Sequence, residues 1–147
     1  WFVPGPRDRL VAARSKARRR AVEALYESDL RSQSVDEALD SLASRMQTPV
    51  NAYTETIVRG VSQHRDQIDE TLATYAQGWT LDRMPAVDRA ILRVGAWEVL
   101  WGDVPDGVAL AEAVGLANDL STDESGKYIN GVLARIKDVK PRLSLGE

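Results

Sequence analysis

The sequence predicts an all-α protein of about seven helices. Apolar residues recur at spacings of three and four along most of the chain, and no segment shows sustained two-residue alternation. Capping and helix-breaking residues separate the periodic stretches. With 147 residues, 44% of them hydrophobic and 28% charged, the chain is long enough to form one globular domain with its own core.

Four helices are predicted in the first half of the chain. Apolar residues after a basic run place the first helix over about 8–31. A capping box, Ser34-Val35-Asp36-Glu37, predicts a second helix that reaches about Arg45. Thr48-Pro49 reads as a cap followed by proline at the first position of a third helix. A fourth begins near Arg65 and is expected to end at Gly78.

Three helices are predicted in the second half. The stretch from Val87 to Trp101 is apolar nearly all round, which is typical of a central, buried helix. Glu98 lies inside it, and a buried carboxylate needs a partner, so we expect a structural hydrogen bond there. Residues 102–107 form a break, and helices follow over about 108–120 and 125–139.

The turn dipeptide Asn130-Gly131 lies inside the last predicted helix. Either Gly131 permits close packing of two helices, or the pair lines a surface that a ligand approaches.

Charge is distributed unevenly along the chain. Residues 1–20 carry a net charge of +6 and the remainder −9, which gives the overall −3. The basic residues of the first predicted helix include Arg14, Lys16, Arg18, Arg19 and Arg20. Such a concentrated cationic surface on an acidic protein favours local contact with a polyanion, although a solvated polar face is the simpler alternative.

Several classes of function are disfavoured by the residues present. The chain has no cysteine and one histidine, His64, which is expected at a helix junction. Neither glycine-rich phosphate-loop motif occurs in it. We therefore predict a protein that is not an enzyme and uses no cofactor or metal. The absence of cysteine suits the cytoplasm, and no apolar run is long enough to span a membrane. Residues 1–11 are expected to be a flexible N-terminal segment.

A second candidate site lies at the start of the last helix. Lys127-Tyr128 pairs a cation with an aromatic ring, the combination on which single-stranded nucleic acids stack. Tyr128 is as easily explained as a core residue. Residues 122–125 either cap this helix or accept hydrogen bonds from base edges.

Five motifs, in order, resemble those of the NusB family of transcription antitermination factors. They are residues 14–26, which begin Arg14-Ser15-Lys16-Ala17-Arg18; residues 87–93; Trp97-Glu98 with Val104-Pro105; Glu112-Ala113-Val114; and residues 125–133, which include Tyr128-Ile129-Asn130-Gly131. Residues 78–85 are similar to the actinobacterial branch.

The resemblance implies two small helical bundles packed across each other, with subdomains over about 12–63 and 64–140. It also implies partners: the small-subunit ribosomal protein NusE, single-stranded boxA RNA of rRNA leaders, and the RNA polymerase elongation complex through other Nus factors. The RNA contacts it implies are Arg14, Lys16, Arg18, Glu124, Lys127 and Tyr128; Arg19 and Arg20, outside the core pattern, would add nonspecific affinity. The NusE contacts it implies are Tyr75, Asp82 and Asp88.

Two alternatives remain open at this point. Related helical domains are fused to rRNA cytosine methyltransferases, so the chain is alternatively the RNA-binding part of such an enzyme. An interaction-only homodimer is the other alternative, since some members of the family pair and pairing can cover the basic face.

Overall fold

The computed structural model describes residues 2–145, and the part of the chain it describes contains seven α-helices, two 3₁₀ turns and no strand. The α-helices are α1 (Pro6–Arg31), α2 (Val35–Met46), α3 (Ala52–Gln63), α4 (Arg65–Tyr75), α5 (Ala86–Trp101), α6 (Asp106–Leu120) and α7 (Asp123–Val139). The 3₁₀ turns are Leu81–Arg83 and Lys140–Arg142. The predicted all-α class and its seven helices are confirmed.

Helix α1 begins earlier than the sequence pattern indicated. Its N-cap is Gly5, whose N–H donates to Asp8 Oδ2 at 3.1 Å, and Pro6 occupies the first helical position. Residues 6–11 are therefore helical, with exposed side chains. The flexibility expected for residues 1–11 stays a prediction, and Trp1 lies outside the described residues.

Three capping residues were predicted between α1 and α5, and two of these predictions need correction. The capping box at Ser34 is present, because Glu37 N–H donates to Ser34 Oγ at 3.1 Å and Ser34 N–H donates back to Glu37 at 3.2 Å. The predicted cap at Thr48-Pro49 is wrong. The backbone stays irregular through Val50, which packs against the core, and Asn51 caps α3 by accepting from Tyr53 N–H at 2.8 Å. Gly78 is not the cap of α4 but lies in the turn beyond it, with φ of +83°.

The core is centred on α5, which is buried on nearly every side as predicted. Helix α1 packs against α2, α3 and α5, whereas α5 also packs against α4, α6 and α7. The N-terminal and C-terminal helices therefore meet through α5. Glycines permit close approaches in the core: a Cβ at Gly60 would overlap the Trp97 ring, and one at Gly95 would lie 2.6 Å from Leu133 Cδ1.

Within residues 2–145, no helix is both long and apolar enough to cross a membrane.

Candidate nucleic-acid interface

The basic run of α1 borders a groove between α1 and α6. Four residues of α1 line it, and the other wall belongs to α6. They are Ser15, Lys16, Arg19 and Arg20 on α1, with Glu112, Gly115, Leu116 and Asp119 on α6. The groove has a volume of 370 Å³. Both signs of charge therefore meet along it.

Most of the cations in the run already have carboxylate partners. Arg14 Nη1 lies 3.3 Å from Asp103 Oδ1 in the α5–α6 loop, and its guanidinium carbon lies 4.5 Å from the centroid of the Tyr53 ring. Arg19 Nη2 lies 3.0 Å from Asp119 Oδ2 on α6. Because both ion pairs are solvent-exposed, each contributes only about 0–1 kcal/mol to stability. A competing anion can therefore displace these carboxylates at low cost.

Lys16 differs from its neighbours in the run. Its side chain is exposed, and no carboxylate among residues 2–145 forms an ion pair with it. It lines the α1–α6 groove and also a second groove on the other side of α1. Of the predicted phosphate contacts in the run, Lys16 is the one most accessible to a ligand.

Arg18 is buried, so its prediction as an RNA contact needs correction. It is 2% exposed, and its Nε donates to both Glu98 carboxylate oxygens at 2.8 and 2.9 Å. The Tyr53 hydroxyl donates to the same carboxylate. Burial alone would lower the pKa of Arg18, but the hydrogen bond and the charge of Glu98 raise it overall. The expected structural partner of Glu98 is thus found, and Arg18 supports α1 rather than presenting a cation at the surface.

The α7 half of the predicted site begins with a helix cap. Ser125 N–H donates to Thr122 Oγ1 at 3.0 Å, so Thr122 caps α7. This agrees with the first of the two interpretations of residues 122–125. Glu124 and Lys127 are exposed in the first turns. Lys127 is therefore the second predicted RNA-binding cation that a ligand can reach.

Tyr128 is half-buried. Its hydroxyl donates to the Gln77 carbonyl at 3.3 Å, and its ring makes an edge-to-face contact with Trp79 at 5.5 Å between centroids. Burial raises the pKa of Tyr128. The residue is consequently part of the packing beside α7 as well as a neighbour of Lys127.

Another groove, of 690 Å³, runs along the junction of α6 and α7. Asn118 of α6 and Lys127 and Asn130 of α7 are among its lining residues. A Cβ at Gly131 would meet nothing nearer than Arg135 Nη1 at 3.6 Å, so the close-packing interpretation of Asn130-Gly131 is wrong. Asn130 is exposed along this groove, which agrees with the alternative that the pair lies at an accessible surface.

Helix α6 joins the two halves of the site. Its residues Glu112 and Asp119 face α1, and Val114 and Asn118 face α7. Between these edges, Ala111 and the open position Gly115 leave the outer side of the helix low and exposed. A single-stranded nucleic acid lying over α6 would therefore have the groove lined by Lys16 on one side and the groove lined by Lys127 on the other. The sequence predicted this helix but not its place in the site, because the side chains between the two grooves are small, neutral or acidic.

Of the three residues predicted to contact a protein partner, one is not at the surface. Tyr75 is partly buried, and its carbonyl accepts two hydrogen bonds from Arg135, at 3.2 and 3.1 Å. Asp82 is exposed in a 3₁₀ turn. Asp88 is only 1% exposed and accepts from Ser125 Oγ at 2.8 Å. Asp88 thus ties α5 to the start of α7 and does not present its carboxylate to a partner.

Fold and surface together define an all-α protein in which the two most accessible cations of the predicted site, Lys16 and Lys127, lie on helices that flank a third. The model of the NusB family matches residues 15–138. Because the match spans most of the chain, the protein belongs to the NusB family, as its motifs indicated.

Similar proteins support this assignment. A protein of Thermobifida fusca called transcription antitermination protein NusB is 54% identical over 139 residues, covering 94% of this chain and 98% of the relative. NusB of T. maritima has the same fold, with a TM-score of 0.75, 26% identity and coverage of 88% and 97%. A solved complex of antitermination factors NusB and NusE with dsRNA matches with a TM-score of 0.77, 25% identity and coverage of 86% and 96%. The relatives are named as antitermination factors, which agrees with the prediction that the chain is not an enzyme.

Proposed function

We propose that the protein acts in transcription antitermination. Together with NusE it binds single-stranded boxA RNA of rRNA leader transcripts, and it joins the RNA polymerase elongation complex through other Nus factors in the cytoplasm. The names of its relatives and the solved NusB–NusE complex with dsRNA support the general role. The observation that carries the proposal is the placement of Lys16 and Lys127 at the two edges of α6.

The residues of the proposed site bind different parts of the RNA. Lys16 binds phosphate directly, and Arg14 and Arg19 do so by exchanging Asp103 and Asp119 for phosphate oxygens. Across α6, Lys127 and the amides of Asn118 and Asn130 meet the bases or the backbone. Tyr128 offers the exposed part of its ring for stacking, and such a contact contributes about 1–3 kcal/mol per base. Glu124, exposed in the first turn of α7, is the acid that we assign to a base contact, and Asp123 beside it lines the groove between α6 and α7.

The proposed NusE surface lies beside the RNA surface. Tyr75 and the exposed Asp82 belong to it. Asp88 acts on it indirectly, because its buried bond to Ser125 fixes the start of α7.

The test measures binding of labelled boxA RNA, with and without NusE, by fluorescence anisotropy over a range of salt concentrations. Lys16→Ala and Lys127→Ala should each weaken binding, and each should flatten the plot of log affinity against log salt by about 0.7 per lost contact with a single strand. Lys137→Ala is the matched control, since Lys137 is an exposed lysine of α7 that lines neither groove.

An unchanged affinity and slope in the Lys16→Ala, Lys127→Ala double variant would contradict the proposal. Sedimentation in the same buffers addresses the alternative of an interaction-only homodimer, which requires a stable dimer that is indifferent to RNA.

A further inference from the structure

The other groove that Lys16 lines lies on the side of α1 away from the α1–α6 groove. We call it the α1–α2 groove, because its walls come from α1, the end of α2 and the loop before α3. Leu42, Met46, Pro49 and Val50 give it an apolar lining, and its volume is 310 Å³. Small-molecule sites occupy about 300–1,000 Å³ and combine an apolar lining with a few polar groups. The groove has this character.

The polar groups of the α1–α2 groove are donors. Lys16 and Arg20 line it together with Asn51, and no carboxylate does. Arg20 Nε is buried without a hydrogen-bond partner, although Nη1 of the same side chain pairs with Glu23 at 3.1 Å. Asn51 uses its Oδ1 to cap α3, which leaves its amide N–H groups as donors. The groove therefore suits a ligand with apolar faces and acceptor-rich edges.

The α1–α2 groove is continuous with the proposed RNA surface. Lys16 and Arg20 line both this groove and the α1–α6 groove, so these two side chains form the boundary between them. The two grooves differ in charge, since Glu112 and Asp119 line the α1–α6 groove. An RNA strand that passes from α6 over Lys16 therefore enters the α1–α2 groove, which is the more favourable of the two for an anion.

We propose that the α1–α2 groove binds one unstacked nucleobase of a nucleotide flanking boxA, while Lys16 and Arg20 hold the adjoining phosphates. The proposal rests on the proposed function. The base packs between Met46, whose thioether adapts to flat surfaces, and Pro49. Its acceptor edge meets the side-chain amide of Asn51. A partner helix is a poorer occupant, because a helix with its side chains is about 10–12 Å wide and the groove is too small for it.

The first experiment compares boxA RNA with boxA RNA extended by three nucleotides at each end, in the presence of NusE. The extended RNA should bind the unaltered protein at least about fivefold more tightly, the lower end of what one stacked base contributes. Pro49→Asp, which adds a negative charge to the groove wall, should remove this gain and leave binding of boxA alone unchanged. Thr48→Asp is the matched control, because Thr48 is an exposed neighbour outside the lining and should keep the gain.

The second experiment locates the base. Extended RNAs carrying 4-thiouridine at one flanking position each are irradiated in complex with the protein, and crosslinked peptides are identified by mass spectrometry. One position should label the peptide that contains Met46 and Pro49.

The outcomes separate the two proposals. If boxA binds but the extension adds nothing and no peptide of residues 42–51 is labelled, the nucleobase site is overturned. Equal losses in Pro49→Asp and Thr48→Asp overturn it as well, since they indicate long-range charge repulsion. If neither RNA binds with or without NusE, the proposed function itself fails.

Discussion

Lys16 and Arg18 are two residues apart on α1 and have opposite environments. The ammonium of Lys16 is exposed between two grooves, whereas the guanidinium of Arg18 is buried against Glu98. Taking a charge out of water is costly, and Glu98 and the Tyr53 hydroxyl together offset that cost. Arg18 therefore holds α1 against α5, and Lys16 remains available to a ligand.

Replacing Arg18 should destabilise the fold more than it perturbs the surface. Arg18→Ala leaves the Glu98 carboxylate buried without its cation, so the free energy of unfolding should fall by about 3–5 kcal/mol. Lys16→Ala should change it by less than about 0.5 kcal/mol, as expected for an exposed residue. Urea denaturation measures both. Were Arg18→Ala to keep full stability and lose only RNA binding, Arg18 would have to be reassigned to the surface.

Part of this arrangement could be predicted from residues alone. The apolar neighbours of Glu98 indicated a buried carboxylate that needs a partner, and the structure confirms one. The partner itself could not be identified, because Arg18 and Glu98 are brought together by the packing of α1 on α5. The carboxylates Asp103 and Asp119 escaped notice for the same reason, since only the fold places them beside Arg14 and Arg19.

Helix α7 shows how an element positions a site. Thr122 caps its first turn, and the buried carboxylate of Asp88 accepts a hydrogen bond from Ser125 at that end. A negative charge near a helix N-terminus is favourable, because it complements the partial positive charge of the helix dipole there. These contacts fix the first turn of α7, and Lys127 follows two residues after Ser125.

Element boundaries were predictable where one capping signal stood alone. Ser34 offered such a signal, and the helix begins as predicted. Before α3 the sequence pattern predicted a cap at Thr48, but Val50 packs against the core outside the helix and Asn51 is the cap. That choice depends on tertiary contacts, which local patterns do not contain.

Gly131→Ala should stabilise helix α7. The new Cβ meets only Arg135 Nη1 at 3.6 Å, so the better helix propensity of alanine should raise the free energy of unfolding by up to about 1 kcal/mol. Gly60→Ala is the contrasting variant, because its Cβ overlaps the Trp97 ring and should destabilise by about 1–3 kcal/mol. Thermal unfolding reports both changes. A destabilised Gly131→Ala protein would restore the close-packing interpretation.

On the scale of the whole molecule, a network of ion pairs joins α1, α4 and α5. Asp29 of α1 accepts from Arg89 Nε at 2.8 Å and from Arg93 Nη1 at 3.4 Å, and Arg93 Nε also donates to Asp69 of α4 at 2.9 Å. Arg93 is buried. Through Arg89 and Arg93 of α5, the network therefore links α1 to α4.

The network should make stability sensitive to acid. Burial alone would raise the pKa of Asp29, but the hydrogen bond from Arg89 and the charges of Arg89, Arg93 and Arg65 lower it below the ordinary value of 3.8. A lowered folded-state pKa gives stability that is present above the unfolded value and is lost as pH falls through the folded value.

Asp29→Asn should consequently lose less stability on acidification below about pH 3.8 than the unaltered protein. The measurement is the free energy of unfolding from pH 7 down to pH 2, with the exposed Asp40→Asn as control. Identical pH profiles for all three proteins would show that Asp29 does not contribute to acid unfolding.

The ion pairs between α1 and α6 have one more consequence, which concerns what the surface rejects. Arg14 and Arg19 are already neutralised by Asp103 and Asp119, so an anion gains there only the difference between its own contact and the one it replaces. A lone phosphate gains little from such an exchange. A polymer that reaches both arginines together with Lys16 adds several small gains into one binding event. The tethered carboxylates thereby act as a threshold, and the surface favours a long, multiply charged strand over the free phosphates and nucleotides around it.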